Sequence, residues 1–217
     1  MVPNSQLVLS TSELIAEKIR NSIIFGEYKS GQALKQDVLA EELNVSKIPI
    51  REALNQLKSE GLVSFLNNRG SVVSSLSVKE VEEIYTMRMA LEEMALKKSI
   101  PYLQPANTIT AESTLRLIDE SRDPLDWARL NWRFHASLYE AAEMPILLET
   151  VSRLHNNVAR YMVLYLDEMK YQDVSQKEHW DLLDACRQKK TRRAISILRS
   201  HLKDAMEQTI YYMQMGS

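Results

Sequence analysis

Four histidines occur in the chain, His135, His155, His179 and His201, and three of them have the spacing to meet. Asn131 and His135 are four residues apart, so on a helix their side chains share a face. His179 and His201 flank a break at Lys189-Lys190-Thr191. Each is about eleven residues from that turn, roughly 16 Å along a helix, so an antiparallel hairpin brings both to the same height. Three imidazoles beside one amide oxygen suit a divalent transition ion, zinc or nickel, with coordination positions left for water or a ligand. The competing reading is that the height match is coincidental and the histidines are interior residues of a pocket that binds an organic acid directly. His155 is assigned to the ordinary class of satisfied core or surface histidines.

Two further groups of residues carry chemistry. Arg88 can clamp an effector carboxylate through its planar guanidinium fork, or it can be spent on an i, i+4 ion pair with Glu92. Lys47, Arg51, Asn55 and Lys58 fall on one side of a helical wheel, opposite the apolar stripe Ile50, Ala53, Leu54 and Leu57. A cationic, amide-bearing face suits phosphate oxygens and the acceptor edge of guanine in a major groove. Asn68, Arg69 and Gly70 follow as a possible second contact. A solvated helix face, or a protein-binding module, is the plainer alternative.

These residues need elements to hold them. Thr11–Phe25 carries an apolar stripe at helical spacing, and Gly26 ends it. Residues 28–32 read as a turn around Gly31, and Asp37–Leu43 as a short helix. Asn44-Val45-Ser46 is a tight turn, with Ser46 placed to N-cap a helix over Lys47–Glu60. Pro49 fits the first turn of that helix, where N–H groups have no intrahelical partner. After Gly61, residues 62–66 and 71–74 are strand-like, and Asn67-Asn68-Arg69-Gly70 joins them as a hairpin. Three helices followed by a hairpin make a winged helix-turn-helix.

The grammar then changes. Four of the five glycines precede residue 77, and the remainder reads as helices at about 78–99, 108–121, 126–142, 145–170, 175–189 and 191–213, with prolines at or near the breaks. The expected class is mainly α: a winged helix-turn-helix with a two-stranded wing over 1–76, and an all-α helical bundle over 77–217 for ligand sensing and dimerisation. Ser77 is the expected N-cap of the first long helix.

Composition narrows the function. The 217 residues are 45% hydrophobic, with no stretch apolar enough for a membrane span and no secretory pattern at the N-terminus. A lone cysteine, Cys186, excludes an intramolecular disulfide framework, which points to the cytoplasm. The net charge of −2 gives no global attraction to nucleic acid, and residues 1–76 hold eight basic and eight acidic side chains. DNA binding therefore requires that basic groups be segregated onto one face.

The run Leu39-Ala40-Glu41-Glu42-Leu43-Asn44-Val45-Ser46-Lys47-Ile48-Pro49-Ile50-Arg51-Glu52-Ala53-Leu54 resembles the signature of GntR-type regulators, and the match continues through Glu60-Gly61-Leu62-Val63 and Asn68-Arg69-Gly70. The resemblance implies that Lys47 and Arg51 contact operator DNA, that Ser46 assists, and that Arg69 with Gly70 works from the wing. Many relatives carry arginine where Lys47 stands, so bidentate guanine readout becomes a point charge here. Asp37 stands where some relatives carry a DNA-contacting arginine, and that contact is not carried over.

Residues 78–213 are similar to the FCD ligand-binding domain of the FadR subfamily, through Tyr85–Glu92, Asn131-Trp132-Arg133-Phe134-His135, Glu178-His179 and Ser200-His201-Leu202. Metal-binding members use an aspartate where Asn131 stands, so the resemblance implies a weaker fourth ligand and a site more positive by one charge. The resulting expectation is a homodimeric regulator of double-stranded operator DNA, controlled by a small carboxylate. Two alternatives are a regulator for which the ion is the signal, and a metal-dependent hydrolase.

Overall fold

The computed structural model describes residues 9–67, 69–121, 123–169 and 172–215. The chain divides into two compact units between Ser75 and Leu76. In the first, α1 (Thr11–Ile24), α2 (Gln36–Glu42) and α3 (Lys47–Ser59) precede β1 (Val63–Leu66) and β2 (Gly70–Val73). A capping box opens α1: the Ser10 hydroxyl accepts from the Glu13 N–H, and the Glu13 carboxylate accepts from the Ser10 N–H at 2.7 Å. Ile19, Ile23, Ile50, Leu54, Leu57 and Leu62 close the core of this unit, each essentially without exposure.

The two strands pair antiparallel, with Val63 opposite Val73 and Leu66 opposite Gly70. Gly70 has φ +67°, a left-handed conformation that glycine adopts without strain. The 28–32 turn leads into something the apolar pattern did not announce. Ala33 bridges to Val72, and the Leu34 N–H donates to the Ser71 carbonyl, so the wing gains a short third edge. One bridged residue leaves no alternation to read.

The second unit contains α4 (Val78–Ser99), α5 (Pro105–Glu120), α6 (Pro124–Tyr139), α7 (Pro145–Met169), α8 (Gln172–Arg187) and α9 (Thr191–Met215), with 3-10 turns at Ile100–Tyr102 and Glu140–Ala142. Ser77 caps α4 through a box with Glu80. Helices α5 and α6 begin at Pro105 and Pro124, slightly earlier than the expected 108 and 126. Proline's missing N–H is harmless at the first helical position and its fixed φ favours it. Helix α4 packs along α9, α5 along α6, and α8 back along α9. Leu96, Leu115, Phe134, Leu138, Leu198 and Leu202 lie among the core residues between them.

The α4 stripe facing this core runs through Tyr85, Arg88, Glu92 and Leu96, so two charged residues occupy positions that packing alone would give to leucine. No helix among the described residues is long and apolar enough to cross a membrane.

Candidate metal centre and nucleic-acid interface

The helical period of α6 puts Asn131 and His135 on its buried face, at 2% and 1% exposure. The α8–α9 hairpin turns through Lys189, which adopts a left-handed conformation (φ 52°), and this brings His179 and His201 level. Their Nε2 atoms are 3.3 Å apart, and one ring nitrogen each from His135, His179 and His201 lie within 4.8 Å of one another. The Nε2 of His135 has no hydrogen-bond partner. Asn131 is buried one turn before His135 on the same helix.

The opposite ring nitrogens decide the tautomers. Nδ1 of His201 is 2.9 Å from the Glu178 carboxylate, which can only accept. Nδ1 of His179 is 3.2 Å from Oε1 of Gln176, whose Nε2 is committed to donating to the Leu115 carbonyl and to Asp119. Nδ1 of His135 is 3.3 Å from the Tyr139 hydroxyl, which donates its own hydrogen to Glu92 at 2.8 Å. With each Nδ1 placed to donate, a ring that carries a single N–H hydrogen presents a lone pair at Nε2. Two Nε2 lone pairs at 3.3 Å, with a third beside them, repel unless something electron-deficient lies between. The residues thus fit a divalent cation, with the outer hydrogen bonds orienting the ligands.

Electrostatics agree with this assignment. Burial holds the His135 imidazole well below its ordinary range, helped by His179, His201 and Arg88. Burial, then His201, does the same to His179. Burial pushes the Tyr139 phenol well up, with Glu92 adding to the shift. The Cys186 thiol, buried nearby in the core, is pushed up to about 12 by burial and stays inert at neutral pH.

Arg88 makes the i, i+4 ion pair with Glu92 that its spacing offered. Its Nε donates to Glu92 at 2.8 Å, both side chains being almost fully buried, whereas its Nη1 has no partner. Glu92 thereby receives both Arg88 and Tyr139, which ties Arg88 to His135 through two intermediates. The expectation that His155 is an ordinary satisfied histidine is corrected: it is 2% exposed, and neither ring nitrogen has a partner. Sequence reasoning also missed Glu178, Gln176 and Tyr139. Tyr139 was the most accessible, four residues after His135. Glu178 adjoins His179 but serves His201, because neighbours on a helix point about 100° apart.

In the first unit, Ser46, Lys47, Arg51, Asn55 and Lys58 are exposed along α3, above the buried Ile50, Ala53, Leu54 and Leu57. Arg69 and Gly70 are exposed at the wing, whereas Asn68 lies outside the described residues. Lys58 stacks over the Phe65 ring at 4.8 Å, linking α3 to β1. The Lys47 ammonium pairs with Asp37 at 2.8 Å, both well exposed. Ser46 occupies the N-cap position with extended backbone, but its hydroxyl makes no cap hydrogen bond, contrary to the capping role read from sequence. It therefore remains available to another acceptor or donor.

Family models match both units: "Bacterial regulatory proteins, gntR family" over residues 11–73 and "FCD domain" over residues 83–204. The chain belongs to the GntR family. It is a DNA-binding transcriptional regulator carrying an FCD domain, not an enzyme, and the hydrolase alternative is set aside. Among curated GntR relatives, the HTH-type transcriptional repressor GlaR of Escherichia coli K12 is 28% identical over 198 residues, covering 85% of this chain and 89% of GlaR. A solved GntR-family regulator from Pseudomonas syringae is 34% identical, covers 94% of this chain and 86% of its own, and superposes with a TM-score of 0.60. The structure of E. coli McbR/YncC, 22% identical, shares the fold with a TM-score of 0.84 over 97% of this chain and all of its own.

Proposed function

We propose that this GntR-family regulator acts as a homodimer on a short palindromic operator, and that a small carboxylate, held through a divalent ion by His135, His179 and His201, sets its affinity for DNA. Residues 1–76 bind DNA and residues 77–217 sense the effector and dimerise, as in the FadR subfamily. The observation that carries the sensing half is the convergence of three Nε2 lone pairs whose opposite nitrogens are already committed. Asn131 supplies a neutral fourth oxygen. A divalent ion held by these residues would supply Lewis acidity toward a carboxylate oxygen. Because neither the imidazoles nor the amide neutralises such an ion, an anionic effector suits the site better than a neutral one.

On the DNA side, Lys47 and Arg51 approach base edges and phosphates from α3 and Asn55 extends that face. Ser46 reaches a phosphate, and Arg69 and Gly70, with Asn68, work from the wing. Two such faces in a dimer read two half-sites about one helical turn apart. The effector changes DNA affinity only to the extent that it favours one arrangement of the protein over another.

The test has two arms, on an operator selected from a random duplex library. Metal content is measured on the purified protein, and operator affinity is followed with chelator, with added Zn²⁺ or Ni²⁺, and with acetate or lactate added to each. The expected result is stoichiometric metal and an affinity that responds to carboxylate only in the metal-loaded protein. A response to chelation alone, without carboxylate, makes the ion the signal. A carboxylate response that survives chelation overturns the role of the metal.

A further inference from the structure

Helix α4 has two faces of different character. Val81, Tyr85, Glu92 and Leu96 are buried on the inner one. On the outer one Glu83, Met87, Ala90, Met94 and Lys98 recur at intervals of three and four residues, so they form a single stripe, and all five are exposed. Met87 and Met94 are each 45% exposed although large and apolar, and Leu91 is half-buried beside them. Met94 also lines a groove of about 680 Å³ together with Thr86, Met89 and Arg199, the last supplied by α9. Methionines facing water at helical spacing mark a surface that another surface covers, since flexible thioether chains adapt to whatever packs on them.

The stripe is complementary to itself. It is acidic at its first end, Glu83, and basic at its last, Lys98, and among the described residues neither charge is paired within the chain. A two-fold axis between Ala90 and Leu91, with a second copy of α4 running the opposite way, sets Met87 against Met94, Ala90 against Leu91 and Glu83 against Lys98. One operation therefore places apolar groups together in the middle and opposite charges together at both ends. Parallel pairing would set Glu83 against Glu83 and Lys98 against Lys98.

We propose that the homodimer is joined along this outer face of α4, the two copies crossing antiparallel with Met87 of each seated in the groove beside the partner subunit's Met94. The inference rests on the homodimer reading and names its surface. Exposed ion pairs add little affinity, so the methionine seam carries the association and the Glu83–Lys98 pairs fix which way the helices run.

The experiment is analytical ultracentrifugation of the full-length protein, with circular dichroism as the control for folding. The wild type is expected to sediment as a dimer, and Met94→Glu to raise the dimer dissociation constant by about 30-fold or more at unchanged helicity. Glu83→Lys and Lys98→Glu should each raise it by about 2- to 10-fold, because each sets like charges together at both ends of the seam. Combining the two exchanges the signs and restores the pairs, so the double variant should return to the wild-type value. This recovery also answers the question if Met94→Glu does not fold. A dimer of unchanged strength in Met94→Glu and in both charge variants overturns the α4 seam and leaves the homodimer standing. Charge variants without effect, or without recovery in the double variant, overturn the antiparallel register. A wild type that sediments as a monomer overturns the seam and the homodimer reading together.

Discussion

The two units treat their polar side chains in opposite ways. On α3 the cations face outward, Arg51 and Asn55 stand exposed, and the apolar residues lie beneath them. In the FCD unit the informative groups face inward: Arg88, Glu92, Asn131 and all four histidines are at most 5% exposed. An exposed charge costs nothing to keep in water and waits for a long polyanion that can come to a surface. A buried polar group must be satisfied on the spot, and the histidine cluster has a partner at every Nδ1 while the Nε2 of His135 has none. The contrast separates an outward cationic face from an inward cluster of buried polar groups.

The change that should break the inward half most completely is His179→Ala with His201→Ala. Metal uptake, read by elemental analysis, should fall below detection while circular dichroism remains helical, because two of the three converging donors are gone. Retained metal would place the ion elsewhere.

Acid should come next in effect, on the metal-free protein. His135, His155 and His179 are held below the ordinary imidazole value of 6.5, so the unfolded chain takes up protons there that the folded one refuses. Stability is full above about pH 6.5 and declines as pH falls below it, down to about 3 for His155. Denaturation midpoints at pH 7, 6, 5 and 4 read this slope. His155→Leu should flatten it, and identical slopes in variant and wild type would remove His155 from the account.

The outward half is broken by Arg51→Ala, which should weaken operator binding by about 1–3 kcal/mol if the guanidinium meets a base. Unchanged affinity would contradict the docking of α3.

Much of this contrast was legible before any coordinates. Glycine and proline placement marks the wing and the ends of the long helices, and the α3 stripe shows directly which face is cationic. The level meeting of His179 with His201 follows from counting residues around a turn. What escaped depends on neighbours distant in sequence. No periodicity reveals that Glu178 serves the histidine of another helix, that His155 is left unsatisfied, or that Ala33 joins the wing through a single bridge. The Ser46 hydroxyl escaped for a subtler reason, since its position satisfies every sequence rule for a cap while its side chain makes none.

The smallest effect sharpens the outward half. Asp37 holds Lys47 in an exposed ion pair at the start of α3. Asp37→Ala should raise operator affinity by a few-fold, within about 1 kcal/mol, and steepen the salt dependence, because Lys47 is then released to phosphate. A loss of affinity would show that the pair positions Lys47 for contact.

The most direct test of the link between the two halves is operator affinity of the Zn²⁺-loaded protein, by fluorescence anisotropy, with and without saturating lactate. The wild type should shift by about 5- to 150-fold, while the His179→Ala, His201→Ala double variant should bind the operator with one affinity in both conditions. A shift that persists in the double variant, or none in a wild type that has taken up both metal and lactate, would contradict control of the outer surface by the inner site.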